Sequence, residues 1–78
     1  MFKKQLELTE TDVKNIKIAL KSNPECKDIE PLIKNNVILN LDQLKLVSNT
    51  LYHYSYTPNF SHEENFIFIR LAELVFYP

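Results

Sequence analysis

The sequence contains no glycine, only one cysteine and almost no net charge. Phosphate-binding loops and dinucleotide-binding turns need glycine, because a residue without a side chain lets the backbone approach the ligand closely. Neither kind of nucleotide site is therefore expected in its usual form. The single cysteine, Cys26, cannot form an internal disulfide, and no secretory leader opens the chain. We expect a cytoplasmic protein.

Nine basic and ten acidic side chains leave a formal net charge of −1. This balance argues against a strongly basic nucleic-acid binder and equally against an acidic mimic of nucleic acid. The longest apolar stretch is interrupted by Arg70 and Glu73 too soon for a membrane span. We expect one helical domain over residues 1–78, with residues 1–8 as an N-terminal arm. The abundance of Asn, Lys, Ile, Tyr and Phe suggests a phage or a low-GC bacterium as the source.

Capping patterns predict where three helices begin. In a capping box, a side chain at the N-cap and another three residues later each bond the backbone N–H of the other residue. The pairs with this spacing are Thr9 with Asp12, Asn40 with Gln43, and Ser61 with Glu64. Three independent helix starts in a short chain predict a mostly helical protein.

Apolar periodicity and breaking residues then give the extents of the helices. We expect a first helix over Glu10–Ser22, a third over Leu41–Tyr54, and a C-terminal helix from His62 almost to the end, after a turn at Thr57–Asn59. A short second helix is expected from about Asp28, with Pro31 in its first turn, Leu32 and Ile33 facing inward, and an end at residues 35–36. The predicted fold is all-α: a small compact bundle of three main helices plus one short helix, with the C-terminal helix central.

The C-terminal helix is apolar nearly all round. At about 100° per residue its polar strip holds Glu63, Arg70 and Glu73, and the same strip carries Phe66 and Tyr77. Such a helix is either central in its fold or shared between subunits. A homodimer or a hetero-oligomer through this helix is therefore a second hypothesis for its apolar surface.

Two arrangements remain open for the N-terminal segment, in which Leu6 and Leu8 alternate with polar residues. It can pack on the bundle as an extended arm. Alternatively, it can pair with Val37–Leu39 as a two-stranded ribbon.

Aromatic residues concentrate near the end of the third helix. Tyr52 and Tyr54 fall on the two edges of its core stripe, where a ring can be buried while its hydroxyl reaches water. His53 and Tyr56 point outward, so they are candidates for contacting a partner. Together with apolar residues on otherwise polar faces, the candidate partner-binding residues are His53, Tyr56, Leu46, Ile18, Phe66 and Tyr77.

Catalytic and metal-binding signals are weak. His53 has no recognisable nucleophile or orienting group to work with. His53 and His62, nine residues apart across a loop, match no established ligand spacing. We expect no enzymatic activity, no metal and no cofactor.

Two functional hypotheses follow. The first is a non-enzymatic protein-interaction module, such as a phage- or mobile-element-encoded inhibitor or a small bacterial regulator, that acts by steric occlusion of a protein partner. The alternative is nucleic-acid binding through a ridge of lysines on the first helix: Lys14, Lys17 and Lys21. The ridge contains no arginine to read base edges, which argues against sequence-specific binding in particular.

Overall fold

The computed structural model describes residues 3–56 and 62–76. Its elements, in chain order, are strand β1 (Lys3–Glu7), helix α1 (Glu10–Lys21), two 3₁₀ turns (Pro24–Cys26 and Glu30–Leu32), strand β2 (Asn36–Asn40), helix α2 (Leu41–Ser55) and helix α3 (His62–Val75). The all-α prediction is therefore wrong. The described residues form a small α+β fold with three helices and one two-stranded antiparallel sheet.

The sheet joins the N-terminal segment to the middle of the chain, which is the ribbon alternative left open by the sequence. Leu6 lies opposite Val37 and Lys4 opposite Leu39. Because side chains alternate between the two faces of a strand, Leu6, Val37 and Leu39 are buried on one face while Ile38 is exposed on the other. Beyond β1, the backbone N–H of Leu8 donates to the carbonyl of Asn35 at 2.8 Å, so the pairing continues past the strand ends.

Helix α1 begins at its predicted residue. Thr9 Oγ1 accepts from the backbone N–H of Asp12 at 3.1 Å, and the backbone N–H of Thr9 donates to Asp12 Oδ2 at 3.2 Å. This reciprocal pair is the predicted capping box. The helix ends at Lys21, one residue before the predicted end, and Ser22 is its C-cap.

Helix α2 begins in the same way. The backbone N–H of Gln43 donates to Asn40 Oδ1 at 2.9 Å, and the backbone N–H of Asn40 donates to Gln43 Oε1 at 3.0 Å. The second predicted capping box is therefore confirmed. The third, at Ser61, and the turn at Thr57–Asn59 lie outside the described residues.

The predicted short second helix is wrong. Two separate 3₁₀ turns occupy this region, with i to i−3 hydrogen bonds such as Ile29 N–H to the Cys26 carbonyl at 3.0 Å. Pro24 and Pro31 each stand in the first turn of a 3₁₀ segment, where the lack of an N–H is tolerated. The backbone is already extended at Ile33 and enters β2 at Asn36, so no α-helix follows Pro31. Ile33 is buried as predicted, whereas Leu32 is exposed.

The centre of the fold is α2 and not the C-terminal helix. Helix α2 packs against α1, α3 and β2, whereas α3 rests mainly on α2. Each helix contributes to one continuous core, together with the sheet and the 3₁₀ turns. Its fully buried members include Ile16, Leu20, Cys26, Leu39, Leu44, Val47, Leu51, Leu71 and Val75.

A hydrogen-bonded hydroxyl ties the first 3₁₀ turn to α2. Thr50 Oγ1 donates to the carbonyl of Leu46 at 2.7 Å and accepts from Asn23 Nδ2 at 3.0 Å. Cys26 Sγ lies 3.3 Å from the same oxygen. Since the single hydroxyl proton is already donated to Leu46, the thiol is the donor in this third bond. The hydroxyl is thus fully satisfied although Thr50 is buried.

Candidate interaction surface

Helix α3 has one buried face, which is apolar, and one exposed face, which combines apolar and charged side chains. Phe68, Leu71, Ala72 and Val75 recur at helical spacing and are buried against the rest of the fold. On the opposite side the exposed fractions are 66% for Phe66, 41% for Ile67 and 45% for Leu74. We define the α3 outer face as the exposed residues on this side from Glu63 to Leu74: Glu63, Phe66, Ile67, Arg70, Glu73 and Leu74.

The rest of the fold touches the α3 outer face only at its C-terminal edge, where Lys4 Nζ donates to the carbonyl of Leu74 at 3.1 Å and β1 borders a groove with Leu74. Helix α3 is held mainly through its other side, where Ser48 Oγ donates to the Ala72 carbonyl at 3.0 Å and the ring of Tyr54 meets Phe68 edge-on at a centroid distance of 5.0 Å. An exposed phenylalanine and two exposed aliphatics within three turns of one helix form more than the isolated apolar residues normal on a surface. They therefore form a contact surface that the described part of the chain leaves uncovered.

Charges are arranged along the middle of this face. Arg70 follows Phe66 by one turn and precedes Leu74 by one turn, while Glu63 and Glu73 lie on its two sides along the helix. Within residues 3–56 and 62–76, neither Arg70 nor Glu73 forms an ion pair; the pair found there joins Lys21 and Glu30 at 4.0 Å. Arg70 and Glu73 are thus available to a binding partner.

The C-terminal end of α2 is also exposed, but it carries fewer candidate contact residues than the α3 outer face. His53 is exposed, and Tyr56, the C-cap of α2, has 72% of its surface exposed. Tyr52 and Tyr54 pack at the edge of the core, as predicted. The described residues contain no group of three or more His, Cys, Asp or Glu side chains that could hold a metal.

The other candidate residues differ in exposure. Ile18 is 41% exposed on α1, as expected of a residue on its outer side. Leu46 was expected on the polar face of its helix, but it is half-buried and packs against the core. Thr50, one turn later on the same side of α2, bonds Asn23 and Cys26, so the first 3₁₀ turn covers this side. Tyr77 lies outside the described residues.

The lysine ridge is partly neutralised. Lys14 and Lys21 are exposed and Lys17 is half-buried. Lys21 Nζ lies 4.0 Å from a carboxylate oxygen of Glu30, which reduces the positive potential at that end of the ridge.

Sequence reasoning missed part of the exposed apolar surface. It included Phe66 but not Ile67 and Leu74, because a helix apolar all round does not reveal which side is covered. It also missed Ile38 and Leu32, which border a shallow groove with Pro31 and Lys34. Assigning β2 as a strand would have identified Ile38, since it alternates with the buried Val37 and Leu39.

Comparisons of this chain with protein-family models, with curated proteins and with solved structures found no match. Among the described residues, none of the helices has the length and apolar character needed to cross a membrane.

Proposed function

We propose that this chain is a non-enzymatic protein-interaction module whose contact surface is the α3 outer face. It works as a small inhibitor or regulator that covers part of a partner with a preformed surface, without turnover. One observation carries the proposal: Phe66, Ile67 and Leu74 are exposed together on a helix that is already anchored through its opposite face. A large aromatic residue surrounded by aliphatic and charged side chains is typical of interface hot spots.

The anchoring of α3 supports a preformed surface. Bonds through Ser48 and ring packing through Tyr54 hold the helix on α2 before any partner binds. A partner therefore meets a helix that is already ordered, and the ordering cost that weakens binding by flexible segments is small. A cytoplasmic site of action is part of the proposal, because the buried thiol of Cys26 is free.

Affinity capture tests the proposal directly. A tagged wild-type chain is compared with a Phe66→Ser/Leu74→Ser double variant, and retained proteins are identified by mass spectrometry. Ile38→Ser is the matched control, because Ile38 is 63% exposed but lies on the outer face of the sheet. We expect the double variant to lose the retained protein and the control to keep it.

Two results would contradict the proposal. One is equal retention by the wild-type chain and the α3 double variant. The other is a defined reaction, catalysed by the purified chain and abolished by His53→Ala, in a protein that retains no partner.

Nucleic-acid binding through Lys14, Lys17 and Lys21 is the second candidate, favoured by the exposure of Lys14 and Lys21 on one helix. Binding of this kind would weaken steeply with added salt and would be lost on reversing the three charges. The ion pair between Lys21 and Glu30 and the net charge of −1 make it the weaker proposal.

A further inference from the structure

We propose that the partner of the α3 outer face is a second copy of this chain, with the two α3 helices antiparallel and Arg70 of each copy beside Glu73 of the other. This inference rests on the proposed function in one respect, that the α3 outer face is a contact surface; a second copy bound there competes with any other protein for the same face. The order of charged and apolar residues along α3 supports it.

A two-fold contact makes the same surface patch meet itself. A residue on one side of the axis then faces, in the other copy, the residue that lies at the same distance on the opposite side. The reverse contact forms as well, so each pair occurs twice. If the axis crosses α3 at the level between Leu71 and Ala72, Arg70 and Glu73 are equally far from it on opposite sides. The contact therefore contains two Arg70–Glu73 pairs between the copies, and both charges that lack an ion pair in the described residues obtain one.

The same axis also pairs the apolar residues. In an antiparallel helix pair, residues on one side of the contact line of the first helix meet residues on the same side of the second helix. Ile67 and Leu74 lie on the same side of α3, two turns apart. With a rise of about 1.5 Å per residue, Ile67 of one copy lies within about 3 Å of the level of Leu74 of the other. The contact thus covers Ile67 and Leu74, the two aliphatic residues of α3 that the fold leaves exposed. Phe66 of each copy lies near one end of the contact.

The charge order selects this arrangement over the alternatives. A parallel pair in register would place Arg70 against Arg70, and an antiparallel pair centred on Arg70 would do the same. Like charges brought together in a contact oppose binding. An unrelated apolar surface would cover Arg70 and Glu73 without neutralising them. A second copy supplies both opposite charges at the required positions.

The size of the surface sets the expected affinity. One face of a single helix is smaller than the roughly 800 Å² per partner of a standard stable interface. We therefore expect a weak dimer, and sedimentation from about 10 to 500 µM covers the concentrations at which such a contact forms.

Charge exchange within the chain tests the proposal. Sedimentation velocity of the full chain over this range should show a monomer–dimer equilibrium. Arg70→Glu and Glu73→Arg should each raise the dissociation constant at least about tenfold, because each leaves only like charges across the contact. The double variant R70E/E73R should restore the dimer. An equimolar mixture of the two single variants should also form a dimer, because every cross-chain pair is then opposite in charge.

Matched controls carry the same charge changes elsewhere. Lys45→Glu on α2 and Glu25→Arg in the first 3₁₀ turn alter exposed side chains outside α3 and should leave the dissociation constant unchanged. Circular dichroism and thermal melting of every variant verify that the fold is retained.

The outcomes separate this inference from the proposed function. Restoration by the double variant and by the mixture supports the second copy as the partner. A chain that stays monomeric at all concentrations, or a dimer indifferent to both single variants, overturns the inference. If such a monomer retains another protein that the Phe66→Ser/Leu74→Ser variant loses, the proposed function still stands. If the Phe66→Ser/Leu74→Ser variant changes neither dimerisation nor the retention of another protein, the inference and the proposed function both fail.

Discussion

Ser48 and Ala72 join the two helices that pack most extensively: the buried hydroxyl of Ser48 donates a 3.0 Å hydrogen bond to the carbonyl oxygen of Ala72. Both residues are small and buried, so the backbones of α2 and α3 can approach closely at this point. The same carbonyl also accepts the backbone N–H of Phe76 at 3.0 Å, and the contact therefore fixes the last turn of α3.

Substitutions at Ser48 should distinguish the bond from the close packing. Ser48→Ala keeps the small volume and loses one hydrogen bond, so we expect a loss of about 1 kcal/mol in the free energy of unfolding. Ser48→Leu introduces a large side chain between the helices and should cost about 1–3 kcal/mol or more. Urea denaturation measures both. An equal, negligible effect of the two changes would show that the helices do not meet here.

Thr50 provides a second test of a buried hydroxyl. Thr50→Val preserves the shape of the side chain but removes the atom that contacts Asn23, Cys26 and the Leu46 carbonyl. We expect a destabilisation of about 1–3 kcal/mol, because partners are left without a hydrogen bond. Thr50→Ser retains the hydroxyl and should recover much of this loss. A Val variant as stable as the wild type would mean that the network contributes nothing.

The two capping boxes should contribute separately to stability. Thr9→Ala and Asn40→Ala should each lower the free energy of unfolding by about 1 kcal/mol, because each leaves an N–H at the helix start without its side-chain acceptor. Thr11→Ala is the matched control for Thr9, since Thr11 is exposed in the same turn and is not the cap. Chemical denaturation of the three variants measures the effect. A loss with Thr11→Ala as large as that with Thr9→Ala would argue against the cap.

Neighbouring residues in β2 should respond in opposite ways. Leu39→Ala removes a fully buried side chain and should cost about 2–5 kcal/mol. Ile38→Ala alters the exposed face of the same strand and should change stability by only about 0.5 kcal/mol. Thermal and urea unfolding report the difference. A larger loss of stability with Ile38→Ala than with Leu39→Ala would mean that the register of β2 is wrong, because a shift of one residue exchanges the two faces of the strand.

The starts of α1 and α2 were predictable because a capping box involves residues only three positions apart. The pairing of Leu6 with Val37 was not decided by the sequence, because it depends on which distant segments meet. The central position of the last helix was wrongly predicted for a related reason. Its apolar residues surround the helix, and only the tertiary contacts determine that Phe68 is buried while Phe66 is exposed.

The candidate surface was predictable in part. A polar strip that also carries Phe66 indicated an unusual outer face on α3. Leu46 was expected on an exposed face but packs against the core. One turn later on the same side of α2, Thr50 bonds Asn23 and Cys26 of a distant loop. Periodicity within one helix cannot report what a distant loop covers.

The pairing of β1 with β2 also has a kinetic consequence. These strands are separated by roughly thirty residues, so their pairing requires closing a long loop, whereas each helix forms from local contacts. We therefore expect the helices to assemble first and β1 to join after the rate-limiting step. Destabilising changes in β1, such as Leu6→Ala, should then accelerate unfolding while leaving the refolding rate almost unchanged. On this view, the resistance of the native state to unfolding is controlled by its first strand.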